Sequence, residues 1–244
     1  FGAQVPYAVS GTLSLVGAAL MIFVVRGGKA GPREPATLSS LFSGVTFIRS
    51  KPDILGSISL DLFAVLLGGA TALLPAFARD ILHTGAWGLG ALRSAPAVGS
   101  LFTSVWLARR PVRSGVGKKM FAAVFAFGLS TILFGLSRSF WLSIASLAVL
   151  GAVDTVSVVI RSSLVLLETP DAMRGRVGAV NSLFIGTSNL LGEFESGMTA
   201  ALLGTVTATV AGGIGTLVVA ALWMRFFPSL VGFDRFETRE APKP

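Results

Sequence analysis

Five ionisable side chains lie inside otherwise apolar stretches of this 244-residue chain: Asp61, Asp154, Arg161, Glu193 and Glu195. Each would cost about 2.5–3.5 kcal/mol at the centre of a membrane helix, and all five facing lipid unpaired on the order of 12–17 kcal/mol. They must therefore face protein or water, and some must pair. A carboxylate against a seam of small residues, Glu193 before Glu195, can be protonated in one conformation and solvated and charged in another, which couples proton binding to movement. Other chemistries lack their residues. There is one histidine, His83, and no cysteine, so neither a histidine metal cluster nor a thiolate site can be built. The chain has no HExxH or GxSxG motif. The glycine-rich stretch GTVTATVAGGIG at 204–215 lies within an apolar run and reads as close helix packing, not as a phosphate loop. Neither an enzyme, a cofactor, a metal nor ATP is expected.

The spacing of these groups indicates how helices would present them. Asp154 and Arg161 are seven apart, which puts them on one helix stripe about 10 Å apart, and Glu168 continues it. Asp61 and Arg161 lie at similar depths in their runs, so they can pair. In the stretch NLLGEFESG, residues 189–197, Glu193 shares a face with Asn189, Gly186 and Ser182. Glu195 points to nearly the opposite side, near Ser188 and Asn181, so the two acids do not form a dyad sharing one proton. Ser188, Gly192, Ser196, Ala200 and Gly204, spaced by four, make a seam for close approach of another helix, either from this bundle or from a missing half.

The elements that must carry these groups follow from composition. Hydrophobic residues make up 52% of the chain and charged ones 13%, against about 25% charged in a soluble domain. A mean hydropathy of +0.77 marks a membrane protein. Spanning takes about 20 apolar residues, and seven runs qualify, at roughly 3–25, 54–78, 88–108, 119–137, 140–165, 174–203 and 205–227. They are continuous and do not alternate with period two, so the fold class is all-α, a polytopic membrane helix bundle, and not a β-barrel. Proline in the first turn starts two helices, at KPDIL (51–55) and TPDAM (169–173), the second capped by Thr169 with Asp171 at the positive helix end.

Seventeen Lys and Arg residues fall in one set of alternate connections, including 26–51, 109–119, the end of the fifth run and the tail; only Arg79, Arg93 and Arg138 fall in the other. By the positive-inside rule the C-terminus is cytoplasmic and residue 1 lies at the outer face. The net charge of +8 thus reflects topology, and no nucleic-acid partner is expected. Residues 1–25 read as the last helix of a truncated preceding half. Residues 26–51 form a cytoplasmic link. Within it, Leu38, Leu41, Phe42, Val45 and Ile48 form the apolar face of a short helix, lying either on the membrane surface or packed under the bundle. Residues 52–227 make a six-helix bundle and 228–244 a cytoplasmic tail. Along the six runs after the link, the ionisable residues fall polar, polar, apolar, twice over. That pattern suits a three-helix repeat of the kind transporters use, with every third helix toward lipid.

The stretch TPDAMRGRVGAVNSLFIGTSNLLGEFESG, 169–197, resembles the tenth-to-eleventh helix region of major facilitator superfamily transporters, in the enterobactin-exporter-like, transmembrane secretion effector branch. VDTVSVVIRSSLVLL, FIRSKPDIL and GLGALRSAPAVGSL are similar to the same branch, and the likeness runs along most of the chain. The resemblance implies a twelve-helix fold in two halves, of which this chain holds helices six to twelve, with a missing N-terminal six-helix half as partner. It implies a secondary transporter, an exporter exchanging protons for a small amphipathic molecule such as a siderophore or drug, in the bacterial inner membrane. Asp61, Asp154, Arg161, Asn189, Glu193 and Glu195 would then line the path or couple protons. The loop ARRPVRSGVGKK, 108–119, stands where the family keeps a cytoplasmic gating motif, without its usual acid. Asp171, Arg174 and Arg176, in the next cytoplasmic connection, are the alternative gating residues. The rival expectation is a truncated or degenerate half that binds partners and transports nothing.

Overall fold

Apolar runs of this length become helices because a backbone in lipid must satisfy its hydrogen bonds within its own segment. The computed structural model describes residues 4–22 and 38–235, and every regular element among them is helical. The all-α membrane bundle expected from composition is the fold observed. Phe1–Ala36 and Thr37–Pro244 are two separate units. The first contains α1 (Gln4–Ile22), a helix without a charged residue. The polar part of the link, with Arg26, Lys29 and Arg33, the tail residues Arg239 and Lys243, and the outer position expected for residue 1 lie outside the described residues.

The second unit begins with α2 (Leu38–Ser50) and α3 (Pro52–Leu67). The run expected to continue as one helix to residue 78 instead breaks at Gly68 and Gly69. It resumes as a 3₁₀ turn (Ala70–Leu73), a single α turn, α4 (Leu74–Ala76), and a π turn (Phe77–Ile81). Then come α5 (Ala86–Arg109), α6 (Val116–Leu136), α7 (Phe140–Glu168), α8 (Asp171–Leu203), α9 (Thr205–Phe226) and the short α10 (Pro228–Gly232). Among the described residues, four stretches are by length and composition able to cross a bilayer: Pro52–Ile81, Val116–Leu136, Phe140–Glu168 and Thr205–Phe226. With 24 and 33 residues, α5 and α8 have the length but carry more polar residues.

Glycine sets which helices approach most closely. A side chain at Gly99 of α5 would collide with the Ala148 carbonyl of α7, and one at Gly151 with Pro96. The Ser100 hydroxyl donates across that crossing to the Gly151 carbonyl at 3.0 Å. Gly128 and Gly213 face each other between α6 and α9. The small-residue seam of α8 meets the end of α3 within this same bundle: a Cβ on Gly69 would lie 2.6 Å from Ser196 Oγ and 2.9 Å from the Gly192 carbonyl. Two apolar clusters fill the interior, one around Ile54, Leu60, Phe121 and Leu164, the other around Leu74, Phe77, Phe134 and Leu147. Leu101, Phe102, Leu129, Leu133, Leu190, Phe194 and Leu202 are exposed, an apolar surface that lipid would cover. Trp87 and Trp141 stand at the starts of α5 and α7, while Trp106 and Trp223 stand near the ends of α5 and α9, as in the aromatic belts of membrane proteins.

Helix α2 packs on α8 and α3 through Gly44, Val45 and Ile48, while Phe42 stays exposed. It therefore lies against the bundle with one flank open. The capping role expected for Thr169 is not observed. Its side chain is buried without a hydrogen-bond partner, and the helix begins after Pro170, whose carbonyl accepts from Met173 and Arg174 N–H. A proline in the connection takes the cap position itself, which turns the threonine inward.

At the same end of the bundle the C-terminal segment folds back onto the start of α6. Gly115 takes a left-handed conformation, φ 62°, and its N–H donates to Asp234 Oδ1 at 2.8 Å. Val116 and Gly117 donate to the carbonyls of Asp234 and Phe233 at 3.3 and 2.8 Å. A side chain at Gly117 would strike the Leu230 carbonyl. Thus three of the N–H groups that a helix start leaves unpaired are met by residues far along the chain.

Candidate functional site

Asp61 sits on the α3 face formed with Ser57 and Ala64, all three buried, and points at α7. There Arg161 Nη2 lies 3.1 Å from Asp61 Oδ2, with side-chain exposures of 5% and 10%. The pair joins α3 to α7 through two desolvated charges. Such a pair adds little net stability, yet losing one partner strands the other. The Nε of Arg161 has no partner among the described residues.

Two turns along α7 from Arg161, Asp154 is half-buried and within electrostatic range of both members of the pair. No described side chain hydrogen-bonds it. It borders an open depression of about 240 Å³, and from α8 Asn189 and Glu193 border the same depression. The face expected for α8 is the one observed. Ser182, Gly186, Asn189 and Glu193 are exposed, and Ser188, Gly192 and Ser196 are buried in the seam. Thr71 and Ser100 add hydroxyls; Phe127, Leu150 and Pro96 add apolar wall. The broken backbone at Gly68 and Gly69 forms one edge. The lining carries two carboxylates and an amide and no basic side chain, so it is suited to protons, cations or hydrogen-bond donors.

Glu195 is not part of this depression. Half-buried on the far side of α8, it accepts a hydrogen bond from Thr199 Oγ1 at 2.8 Å. A larger hollow of about 540 Å³ near Pro75, Arg79 and Thr84 contains none of the expected groups. Of the expected gating residues, Asp171 pairs with Arg174 at 2.7 Å one turn away, and Arg174 Nε reaches the Leu166 carbonyl at 3.3 Å. Arg176 Nη1 reaches Ser43 Oγ on α2 at 3.5 Å. These contacts tie the start of α8 to the end of α7 and to α2.

Val65, Thr71, Ser100 and Phe127 were not evident from the sequence. The Gly68–Gly69 pair was a signal, since adjacent glycines in an apolar run favour a helix break. Phe127 gave none, because an apolar ring on an apolar helix reads the same toward lipid or toward a cavity.

The family described as transmembrane secretion effector matches residues 5–238. The chain belongs to that family of the major facilitator superfamily. This family member is 26% identical to the enterobactin exporter EntS of Escherichia coli over 191 residues, covering 78% of this chain and 45% of that protein. The enterobactin exporter EntS of Shigella boydii serotype 18 matches with the same values. The chain spans about half the length of the curated relatives it matches. With its apolar helices, the chain is a multi-pass membrane protein.

Proposed function

We propose that this chain forms the C-terminal half of a secondary active exporter in the bacterial inner membrane. It would move a small amphipathic molecule outward in exchange for protons, by rocking against an N-terminal half around a central cavity. The observation that carries this reading is the meeting of Asp154, Asn189 and Glu193 on one open depression beside the buried Asp61–Arg161 pair. Intramembrane carboxylates facing a water-filled hollow are where proton coupling is expected. The family and the likeness to enterobactin exporters support export, and a siderophore or drug-like compound fits the mixed polar and apolar lining. In this reading residues 26–51 are the cytoplasmic link, 52–227 the transporting bundle and 228–244 a cytoplasmic tail. Asp171, Arg174 and Arg176 steady the cytoplasmic closure.

The test is transport by the full-length protein in proteoliposomes, across candidate siderophores and drugs, with and without a proton gradient. Gradient-dependent export that Asp154→Asn abolishes supports the reading. Export by Asp154→Asn at the wild-type rate removes Asp154 from the mechanism, and export indifferent to the gradient removes proton coupling.

A further inference from the structure

Two hollows share a wall. The open depression carries Asn189 and Glu193. The other is a narrow inner compartment of about 10 Å³ bordered by Asp61, Asp154 and Ser157, about the size a single water needs. Val65, Phe127 and Asp154 border both. Among the lining residues Asp154 is the titratable group common to the two, and Phe127, half-buried on α6, is the largest apolar one.

The seat of that ring is specific. A Cβ on Gly68 would lie 2.6 Å from Phe127 Cε1, so the ring occupies space that a glycine leaves open. Gly68 is also the C-cap of α3, where that helix breaks. The position of the ring is therefore linked to the position of the break. An apolar side chain across a narrow polar route excludes water, and its displacement admits it.

We infer that Phe127 is a gate between the open cavity and the buried Asp61–Arg161 pair. Seated against Gly68, it leaves Asp154 as the route for a proton between the two hollows, and movement at the break in α3 unseats it. A hydronium of the open cavity gives up its proton: one hydronium O–H bond breaks as an O–H bond forms on an Asp154 carboxylate oxygen, leaving a water. On release that carboxyl O–H breaks as a water on the other side gains the proton and becomes hydronium. The charged groups facing this carboxylate are Asp61 from α3, Arg161 from its own helix and Glu193 from α8; the lining residues of α5 and α6 do not titrate. Phe127 acts through Asp154 and is a positioning residue. The inference rests on the proton-coupled reading, and its test separates the two.

The chain has no cysteine, so Ser157→Cys puts a single thiol in the inner compartment. In the full-length protein, with any cysteines outside this chain replaced, its labelling by 2-aminoethyl methanethiosulfonate measures water access. Adding Phe127→Ala should raise the labelling rate about tenfold or more, while Phe127→Leu, which keeps an apolar plug, should not. A control thiol from Ser143→Cys, buried elsewhere in α7, should keep its rate. In proteoliposomes Phe127→Ala should dissipate a pH gradient without substrate, and adding Asp154→Asn should stop that leak. Unchanged labelling at position 157 together with a tight membrane in Phe127→Ala overturns the gate. If the alanine variant does not fold, Phe127→Val, shorter and still apolar, carries the same expectations. A wild-type protein that never couples protons to export would sink the coupling reading, while the labelling result still decides whether Phe127 bars water.

Discussion

Arg161 and Asp61 are each tolerable only because the other is present. Arg161→Ala leaves a carboxylate buried without its counter-charge and should cost about 3–5 kcal/mol. Replacing both with apolar side chains, as in Asp61→Leu with Arg161→Met, should recover most of that loss. Thermal unfolding of the full-length protein in detergent measures both variants. Asp154 makes no such pair, so Asp154→Asn should change stability by no more than about 0.5 kcal/mol while ending export. If Asp154→Asn unfolds the protein as Arg161→Ala does, the carboxylate is a structural member and not a transport group. The pairing of Asp61 with Arg161 was legible from depth alone, and the opposed directions of Glu193 and Glu195 from the 100° turn of the helix. What Glu195 does was not legible. Thr199, one turn on, donates to its carboxylate, a local contact that any threonine at that spacing could make or leave unmade.

Between elements, the seam on α8 was visible as small residues spaced by four, but not which helix it receives. Sequence spacing specifies a surface; the partner depends on how the whole bundle closes. The partner is the end of α3, and the approach is tight at Gly69. Gly69→Ala should therefore destabilise the protein by about 1–3 kcal/mol, because its Cβ meets the Ser196 hydroxyl and the Gly192 backbone. Gly197→Ala, on the same helix as the seam with open space around it, should be neutral or slightly stabilising. Equal melting temperatures for the two variants would show that the seam is looser than the packing implies. The break in α3 was missed because hydropathy counts glycine as neutral and carries the run straight through. Likewise the run at 119–137, with no charge in its interior, was expected to face lipid. Leu129 and Leu133 are exposed, but Ala123, Val124 and Phe127 turn inward.

For the whole molecule, the seventeen-to-three division of basic residues makes a topological prediction that the absence of cysteine makes simple to test. Ser114→Cys, in the loop before α6, and Arg138→Cys, in the turn after it, lie on exposed connections at opposite ends of one helix. In intact cells expressing the full-length protein with its other cysteines removed, an impermeant maleimide should label position 138 and spare position 114 until the membrane is opened. The reverse pattern would invert the bundle and make the proposed direction of transport wrong. The Asp234 contact has a consequence for biogenesis. It joins residues 119 apart, so the first turn of α6 leaves the ribosome well before the carboxylate that caps it. Until α7, α8 and α9 have followed, those amide protons are held only by solvent. A segment made 119 residues later thus completes the first turn of a helix already begun.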